Sequence, residues 1–558
     1  MSDGASAERR EVLVVAALTL LPLLPFLGKA WAIDAPVFVA VAEQILRAPL
    51  DPFGFQMYWD ATSLDAAEFN RNPPLLSYWI APWLALSGGA EWVVRLACLP
   101  IPVAAALSFL GIARRLGPDA FGATALLVTT PAFVVLASSL LLDVPMLAAS
   151  LFGVYALLRG VEPGREGWLW AAGAAAGAAA LLKYSGLATA PLLAAGAWLL
   201  AERRGRAVAR VLLPWAAILC AWAALTTLQY GAVHFFGSTD VVIRRSFAAP
   251  VLIGQLTAIP IWYGAALGFP VALWGRSFAR GRGGAALAIA AILLGGAVAL
   301  WILPWGEPLR RNPPGPDAQI IAALGCAGGL FLWTSLLDPR HWWPEPIDRF
   351  LALWAGGWLV FSSGVNWHVN AADALLAAPP ALLLLFRRAQ LRPGPRFARG
   401  CAAATLLLSL LLAWADAEQA DFHRDVAAEI DARIGAGQGD RWLVGTWGFQ
   451  HYVGRRGFSP VLPLELGAPE MAAGDWLAAP RNVAQQDVSP FQHRYPLESV
   501  ARFEQRSALP LRTTNFDAAG GFYSHRVGYA PFAWSTLPVE RVELMRVRSV
   551  EGGDLRGD

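Results

Sequence analysis

Residues 9–34 read RREVLVVAALTLLPLLPFLGKAWAID, and the way this stretch changes character decides the fold class. Arg9 and Arg10 precede an apolar run from Glu11 to Gly28, after which Lys29 and Asp34 restore polarity. A bilayer span needs about 20 mostly apolar residues, and arginines mark the end that stays in the cytoplasm. The N-terminus is therefore expected inside, with a first helix running outward and Lys29 to Asn72 as an external loop. Ala30-Trp31-Ala32 also suits the cleavage site of a secretory signal. An uncleaved first helix is preferred, because it makes the charges of the later loops fall on the correct side.

Working outward, the chain of 558 residues is 56% hydrophobic and 15% charged, too little polar surface for a water-soluble protein of this size. Lipid has to be its solvent. The net charge of +3 is small, and no nucleic-acid partner is implied. Cys98, Cys220, Cys326 and Cys401 sit in apolar runs without CxxC or Cys/His spacing, so disulfides and zinc are not expected. The 25 tryptophans concentrate near expected boundaries, as an interfacial belt would.

Applied along the whole chain, the two rules give an all-α polytopic membrane protein of about thirteen transmembrane helices. Asn72-Pro73-Pro74 leads into Leu75 to Leu86, read as a helix lying at the outer interface; a crossing there would put Arg114-Arg115 outside. Helix two (Trp92 to Ala113) runs inward, and helix three (Phe121 to Leu142) returns to place Asp143 at the outer surface. Helix five rises to Lys183, and helix seven brings the chain out to His234. Helices nine and ten form a hairpin around Pro304 to Asp317, where Arg310-Arg311 is the one misfit. Helix thirteen (Cys401 to Trp414) emerges outside. Residues 1–415 thus form a membrane unit, with 29–91 as its first external loop. Residues 416–558, of mixed charge with frequent Gly and Pro, form a small extracytoplasmic α/β domain. Within it Ala420 to Ile434 has helical periodicity, while Arg441 to Gly445 and Arg541 to Met545 alternate like strands.

Ionisable groups at membrane depth are costly, which makes them functional candidates. The topology brings Asp34, Asp143, Lys183 and His234 to one face, with Arg71 nearby. Each has a plainer reading too: Asp34 as a helix end, Asp143 as part of a helix start, Lys183 as a snorkelling residue, His234 and Arg71 as loop residues. The sequence holds no P-loop, GxGxxG, HExxH or GxSxG, and no Asp-x-Asp pair to hold a metal–nucleotide sugar. An enzyme outside the cytoplasm would take its donor from the lipid, and a sugar on a polyprenyl phosphate meets that need. Transfer requires a carboxylate to accept a proton from an acceptor hydroxyl and cations to stabilise the departing phosphate.

A resemblance adds to this reading. Asp34 to Ala42, Asn72-Pro73-Pro74-Leu75-Leu76-Ser77-Tyr78-Trp79, Arg95-Leu96, Ala113-Arg114-Arg115-Leu116-Gly117, Leu142-Asp143-Val144-Pro145 and Leu181-Leu182-Lys183-Tyr184-Ser185-Gly186-Leu187 occur in an order that resembles the GT-C superfamily. In particular it is similar to family 39 glycosyltransferases, the protein O-mannosyltransferases and aminoarabinose transferases. The resemblance implies a GT-C fold and an inverting sugar transfer from a polyprenyl-phosphate donor to a lipid, glycan or protein acceptor. It places that transfer at the periplasmic face of a bacterial inner membrane. Asp34 matches the family's catalytic Asp, Asp143 the acid of its Asp-x-Pro motif, and Lys183, Arg71 and His234 would serve the donor phosphate. Members of the superfamily differ on a divalent metal, so that point stays open. The chain departs from the aminoarabinose type at Arg71-Asn72, where relatives carry Glu-Lys, and at Ala372-Asp373, where many carry Arg-Tyr. Readings from other classes are a transporter or flippase of a lipid-linked sugar, for which broken midplane helices would be expected, and a non-catalytic membrane scaffold.

Overall fold

The computed structural model describes residues 2–59, 63–117, 119–237, 249–279, 315–336, 344–366, 368–388, 392–435, 439–462, 470–482 and 495–548. Helix nine and most of the expected hairpin loop, including Arg310-Arg311, lie outside these residues.

The architecture is mostly helical, and its composition is that of a membrane protein. Among the described residues, Glu91–Leu116, Arg204–Tyr230, Pro316–Leu336 and Pro395–Ile434 are each long and apolar enough to cross a bilayer. Two further helix pairs qualify if each bent pair is one span, and Leu75–Ser87, Trp168–Leu182 and Tyr184–Leu200 are shorter apolar helices.

Several expected straight helices are broken, each for a local reason. The first ends at Leu20 and continues as the 3-10 turn Leu21–Phe26, because Pro22 and Pro25 lack the amide hydrogens an α-helix needs. The third divides into Ala120–Val128 and Pro131–Ala137, bent by 58°. Pro131 cannot continue the first piece, and the Thr130 hydroxyl starts the second by accepting from Phe133 N at 3.1 Å. The eighth turns by 80° between Leu252–Ala265 and Phe269–Arg276. Gly268 makes that corner at φ +72, a conformation costly for any residue with a Cβ. Small residues then let helices approach: a Cβ on Gly264 would lie 1.8 Å from the Gly325 carbonyl oxygen, so Ala249–Ala265 and Pro316–Leu336 touch along their backbones.

The helix Asp143–Gly160 and the helix Ala371–Arg387 both begin at an acid-bearing end and finish among arginines. At the arginine end, Arg114 pairs with Glu8 and Glu11, Arg115 with Glu162, and Arg387 with Asp348 and Glu345. An open groove of about 900 Å³ lies there, lined by Arg10, Glu11, Val14, Arg114 and Phe121, and it holds none of the expected site residues. The opposite end carries the acids.

Pro395–Ile434 runs unbroken for 40 residues, past Asp416 and into the C-terminal part of the chain. There Phe422, Val426, Ile430 and Ile434, spaced one helical turn apart, pack on Leu443, Phe449, Val542 and Leu544. Burial of each such side chain contributes about 1.5–3 kcal/mol. The sheet under this helix has five strands in the order Ser459–Pro460, Arg441–Leu443, Trp476–Pro480, Glu540–Val547, Leu497–Gln505. The first two pairings are parallel and the last two antiparallel, with a bulge between Ser499 and Ala501.

Candidate active site

The segment carrying Asp34 is held from several sides. Arg95 stacks its guanidinium 4.6 Å from the Trp31 ring centroid and donates to the Ala30 carbonyl at 3.0 Å and the Ser138 carbonyl at 3.3 Å. The Ala30 amide donates to Asp421 at 2.8 Å and the Trp31 amide to the Tyr452 hydroxyl at 2.7 Å. Gly448 sits so close that a Cβ there would be 2.2 Å from the Trp31 carbonyl oxygen. Within this grip Ile33 has φ +53. A β-branched residue in that region costs about 1–3 kcal/mol, and such strain persists only where the surroundings over-determine it. The residue it orients is Asp34, which precedes the helix Ala35–Arg47 and whose carboxylate makes no capping bond.

Asp143 opens the helix Asp143–Gly160, where the helix dipole favours an anion, and Lys183 closes Trp168–Leu182, where it favours a cation. Lys183 Nζ donates to Asp143 Oδ1 at 2.7 Å. The charges of Asp34 and Asp373, which belong to separate elements, also act on Lys183. Asp34 lies outside the spanning helices and is half-buried. Burial first, and the Asp143 charge second, push its carboxyl up to about 6 against the pull of Lys183. A carboxylate in that range holds a proton well enough to accept one, yet is mostly ionised at neutral pH.

Asp373 is fixed by its helix start. Asn370 Oδ1 accepts from the amides of Ala372 (2.8 Å) and Asp373 (3.1 Å), and Asp373 Oδ2 accepts from Asn370 N at 2.9 Å. This is a reciprocal capping box. Asn366 Nδ2 donates to both Asp373 oxygens at 3.1 Å. His368, two residues from Asn370, feels the charge of Lys183, and its Nε2 accepts from Asn370 Nδ2 at 3.1 Å.

The structure pairs Asp143 with Lys183, with Asp34 near enough for both charges to act on it, and joins His234 to Tyr184, the residue after Lys183. His234 is buried, stacked 4.8 Å from Phe53, and its Nδ1 meets the Tyr184 hydroxyl at 2.6 Å. Burial pushes the imidazole down to about 4, partly offset by its hydrogen bond with the Asn70 backbone. At neutral pH it is an uncharged hydrogen-bonding ring. Arg71 is half-buried in the turn directly after Asn70. Among the described residues no three His, Cys, Asp or Glu side chains are grouped to hold a metal ion.

Sequence reasoning missed Asp373 and the buried pair Lys29–Asp416 (2.5 Å), whose acid also accepts from Thr513 and from Tyr523, each at 2.8 Å. The Asn370-x-x-Asp373 spacing is a readable helix start, but nothing in it points to Lys183. Lys29 and Asp416 are 387 positions apart.

Residues 71–231 match the family described as dolichyl-phosphate-mannose-protein mannosyltransferase. The resemblance to GT-C membrane glycosyltransferases drawn from the motifs therefore holds, and the matched segment contains Arg71, Asp143 and Lys183. No curated protein sequence matches the chain significantly. Among solved structures, ArnT from Cupriavidus metallidurans in the apo state is 16% identical, covering 98% of this chain and 100% of that one, at a TM-score of 0.46. The archaeal oligosaccharyltransferase AglB from Archaeoglobus fulgidus, in complex with an inhibitory peptide and a dolichol-phosphate, is 14% identical over 88% and 72% of the two chains, at 0.45. The arabinofuranosyltransferase AftD from Mycobacteria is 17% identical over 97% and 40%, at 0.36.

Proposed function

We propose that this chain is an inverting glycosyltransferase that moves one sugar from a polyprenyl phosphate to an acceptor hydroxyl at the outer face of a bacterial inner membrane. The observation that carries the reading is the Lys183–Asp143 ion pair at 2.7 Å, within the electrostatic reach of Asp34 and Asp373, at the end of the molecule opposite the arginine clusters. The family matched by residues 71–231 is described by a dolichyl-phosphate-linked mannose donor and a protein acceptor, which supports a lipid-linked donor here.

In this scheme the acceptor oxygen attacks the anomeric carbon, its proton passes to Asp34, and the carbon–phosphate oxygen bond breaks with its electron pair leaving on the polyprenyl phosphate. Asp143 holds Lys183 in place, and Lys183 with Arg71 offsets the charge that grows on the phosphate. His234 orients this side of the site through Tyr184, the neighbour of Lys183. The arginine-rich end faces the cytoplasm, about thirteen helices span the bilayer, residues 1–415 form the catalytic unit, and residues 416–558 lie in the periplasm.

The test is transfer from labelled polyprenyl-phosphate sugars in proteoliposomes, run across lipid, glycan and protein acceptors. Asp34→Asn should lower turnover by about 10²- to 10⁴-fold while leaving donor binding in place. Full turnover in that variant would remove Asp34 from the chemistry.

A further inference from the structure

Two non-glycine residues with left-handed backbones meet at the seam between the C-terminal part of the chain and the segment that carries Asp34. Ile33 has φ +53, and Trp447, the first residue of the helix Trp447–Gly454, has φ +61. The Ile33 side chain packs against the cluster that contains Trp447 and Phe449. Gly448 abuts Trp31, since a Cβ there would lie 2.2 Å from the Trp31 carbonyl oxygen. Residues with a Cβ avoid this backbone region in a free chain, so contacts across the seam must hold both segments there.

One hydroxyl ties the seam together. The Trp31 amide donates to Tyr452 Oη at 2.7 Å, and Tyr452 donates to Glu91 Oε1 at 2.8 Å. The hydroxyl proton goes to Glu91, which leaves an oxygen lone pair for the amide. Glu91 opens the helix Glu91–Cys98, and Arg95 on the same helix stacks 4.6 Å from the Trp31 ring centroid. Trp31 is thus held at its amide by Tyr452 and at its ring by Arg95, and Glu91 links the two.

We infer that Tyr452 is a positioning residue for Asp34: its hydroxyl fixes the Trp31 backbone, and the helix Trp447–Gly454 thereby holds Ile33 in the conformation that aims the carboxylate. The inference rests on Asp34 as the base proposed above. Only Ala32 and Ile33 separate Trp31 from Asp34, so a shift at the Trp31 amide passes to the carboxylate with little room to be absorbed. The C-terminal part of the chain then belongs to the working site.

The experiment measures kcat, donor KM and thermal midpoint of the full chain in proteoliposomes, using the labelled polyprenyl-phosphate sugar that wild type turns over best, with undecaprenyl phosphate as the binding probe. Tyr452→Phe keeps the ring and removes the hydroxyl. It should lower kcat about tenfold to a hundredfold and leave donor KM and undecaprenyl phosphate binding unchanged. Adding Ile33→Gly supplies a residue that enters the left-handed region freely, so kcat should rise again even as the lost side chain lowers the midpoint. A merely structural role would move turnover and midpoint together. Glu91→Ala frees the hydroxyl without removing it and should give a smaller loss of kcat, which keeps the test open if Tyr452→Phe does not fold. With Asp34→Asn showing its expected loss, wild-type kcat in Tyr452→Phe, or a double variant whose kcat falls with its midpoint, would overturn this inference alone. Full turnover in Asp34→Asn would overturn the base reading with it, and a wild type that turns over none of the donors would overturn the transferase reading itself.

Discussion

The two halves of the candidate site are built in different ways. Asp34, Asp143 and Lys183 stand at the ends of apolar runs, each beside or within the terminus of a helix. Asp373 and His368 are fixed by Asn366 and Asn370, and their segment is instead joined to the loop 521–526 by hydrogen bonds between segments more than 150 positions apart, such as Val369 N to His525 Nδ1. In the first half the ends of apolar helices do the placing. In the second, polar contacts between distant segments do it, and each bond matters individually. The two halves meet where the C-terminal residues Asp421, Gly448 and Tyr452 grip the strained Ile33 segment.

Perturbing the first half should have the largest effect. Lys183→Met leaves Asp143 facing Asp34 and Asp373 without a counter-charge, and turnover should fall by at least about 10²-fold in the proteoliposome assay. Near-normal turnover would mean that the cation is supplied elsewhere.

At the seam, Asp416→Leu strands a Lys29 side chain that is fully buried. Removing one member of such a pair costs about 3–5 kcal/mol, readable as a lower thermal midpoint. The double variant Lys29→Met with Asp416→Leu should recover much of that loss, and no recovery would show that Thr513 and Tyr523, not the ion pair, hold the contact. Gly448→Ala tests the same seam more gently. The added methyl must displace the Trp31 carbonyl, at a cost of about 1–3 kcal/mol, and turnover should drop together with the midpoint.

The smallest effect belongs to the second half. Asn370→Ala removes one arm of the capping box and should cost about 1 kcal/mol in stability. It should also loosen Asp373, so a modest rise in donor KM is expected; unchanged donor KM would detach Asp373 from the site.

This division explains what the sequence disclosed. Hydropathy carries the helical class, and the reading that set Asp143 and Lys183 at neighbouring helix ends agrees with their ion pair at 2.7 Å. The breaks at Pro22, Pro25 and Pro131 were visible as prolines, but whether a proline bends or ends a helix depends on what packs beside it. Asp373 was noticed only as a departure from the family's Arg-Tyr. Its place beside Lys183 depends on tertiary contacts that no local pattern encodes. His234 was read as a loop residue serving the donor phosphate, and its burial, which no local pattern encodes, holds its imidazole uncharged at neutral pH.

The central claim is that Asp34 works as a base inside the field of Lys183. Its most direct test is the pH dependence of kcat/KM for sugar transfer in wild type and in Lys183→Met. Asp34 must be ionised to accept a proton, so activity should fall as pH drops through about 6 in wild type. Without the lysine, whose charge lowers that value, the acidic limb should move to higher pH. An acidic limb at the same pH in both proteins would contradict the account, since Asp34 and Lys183 would then not share a site.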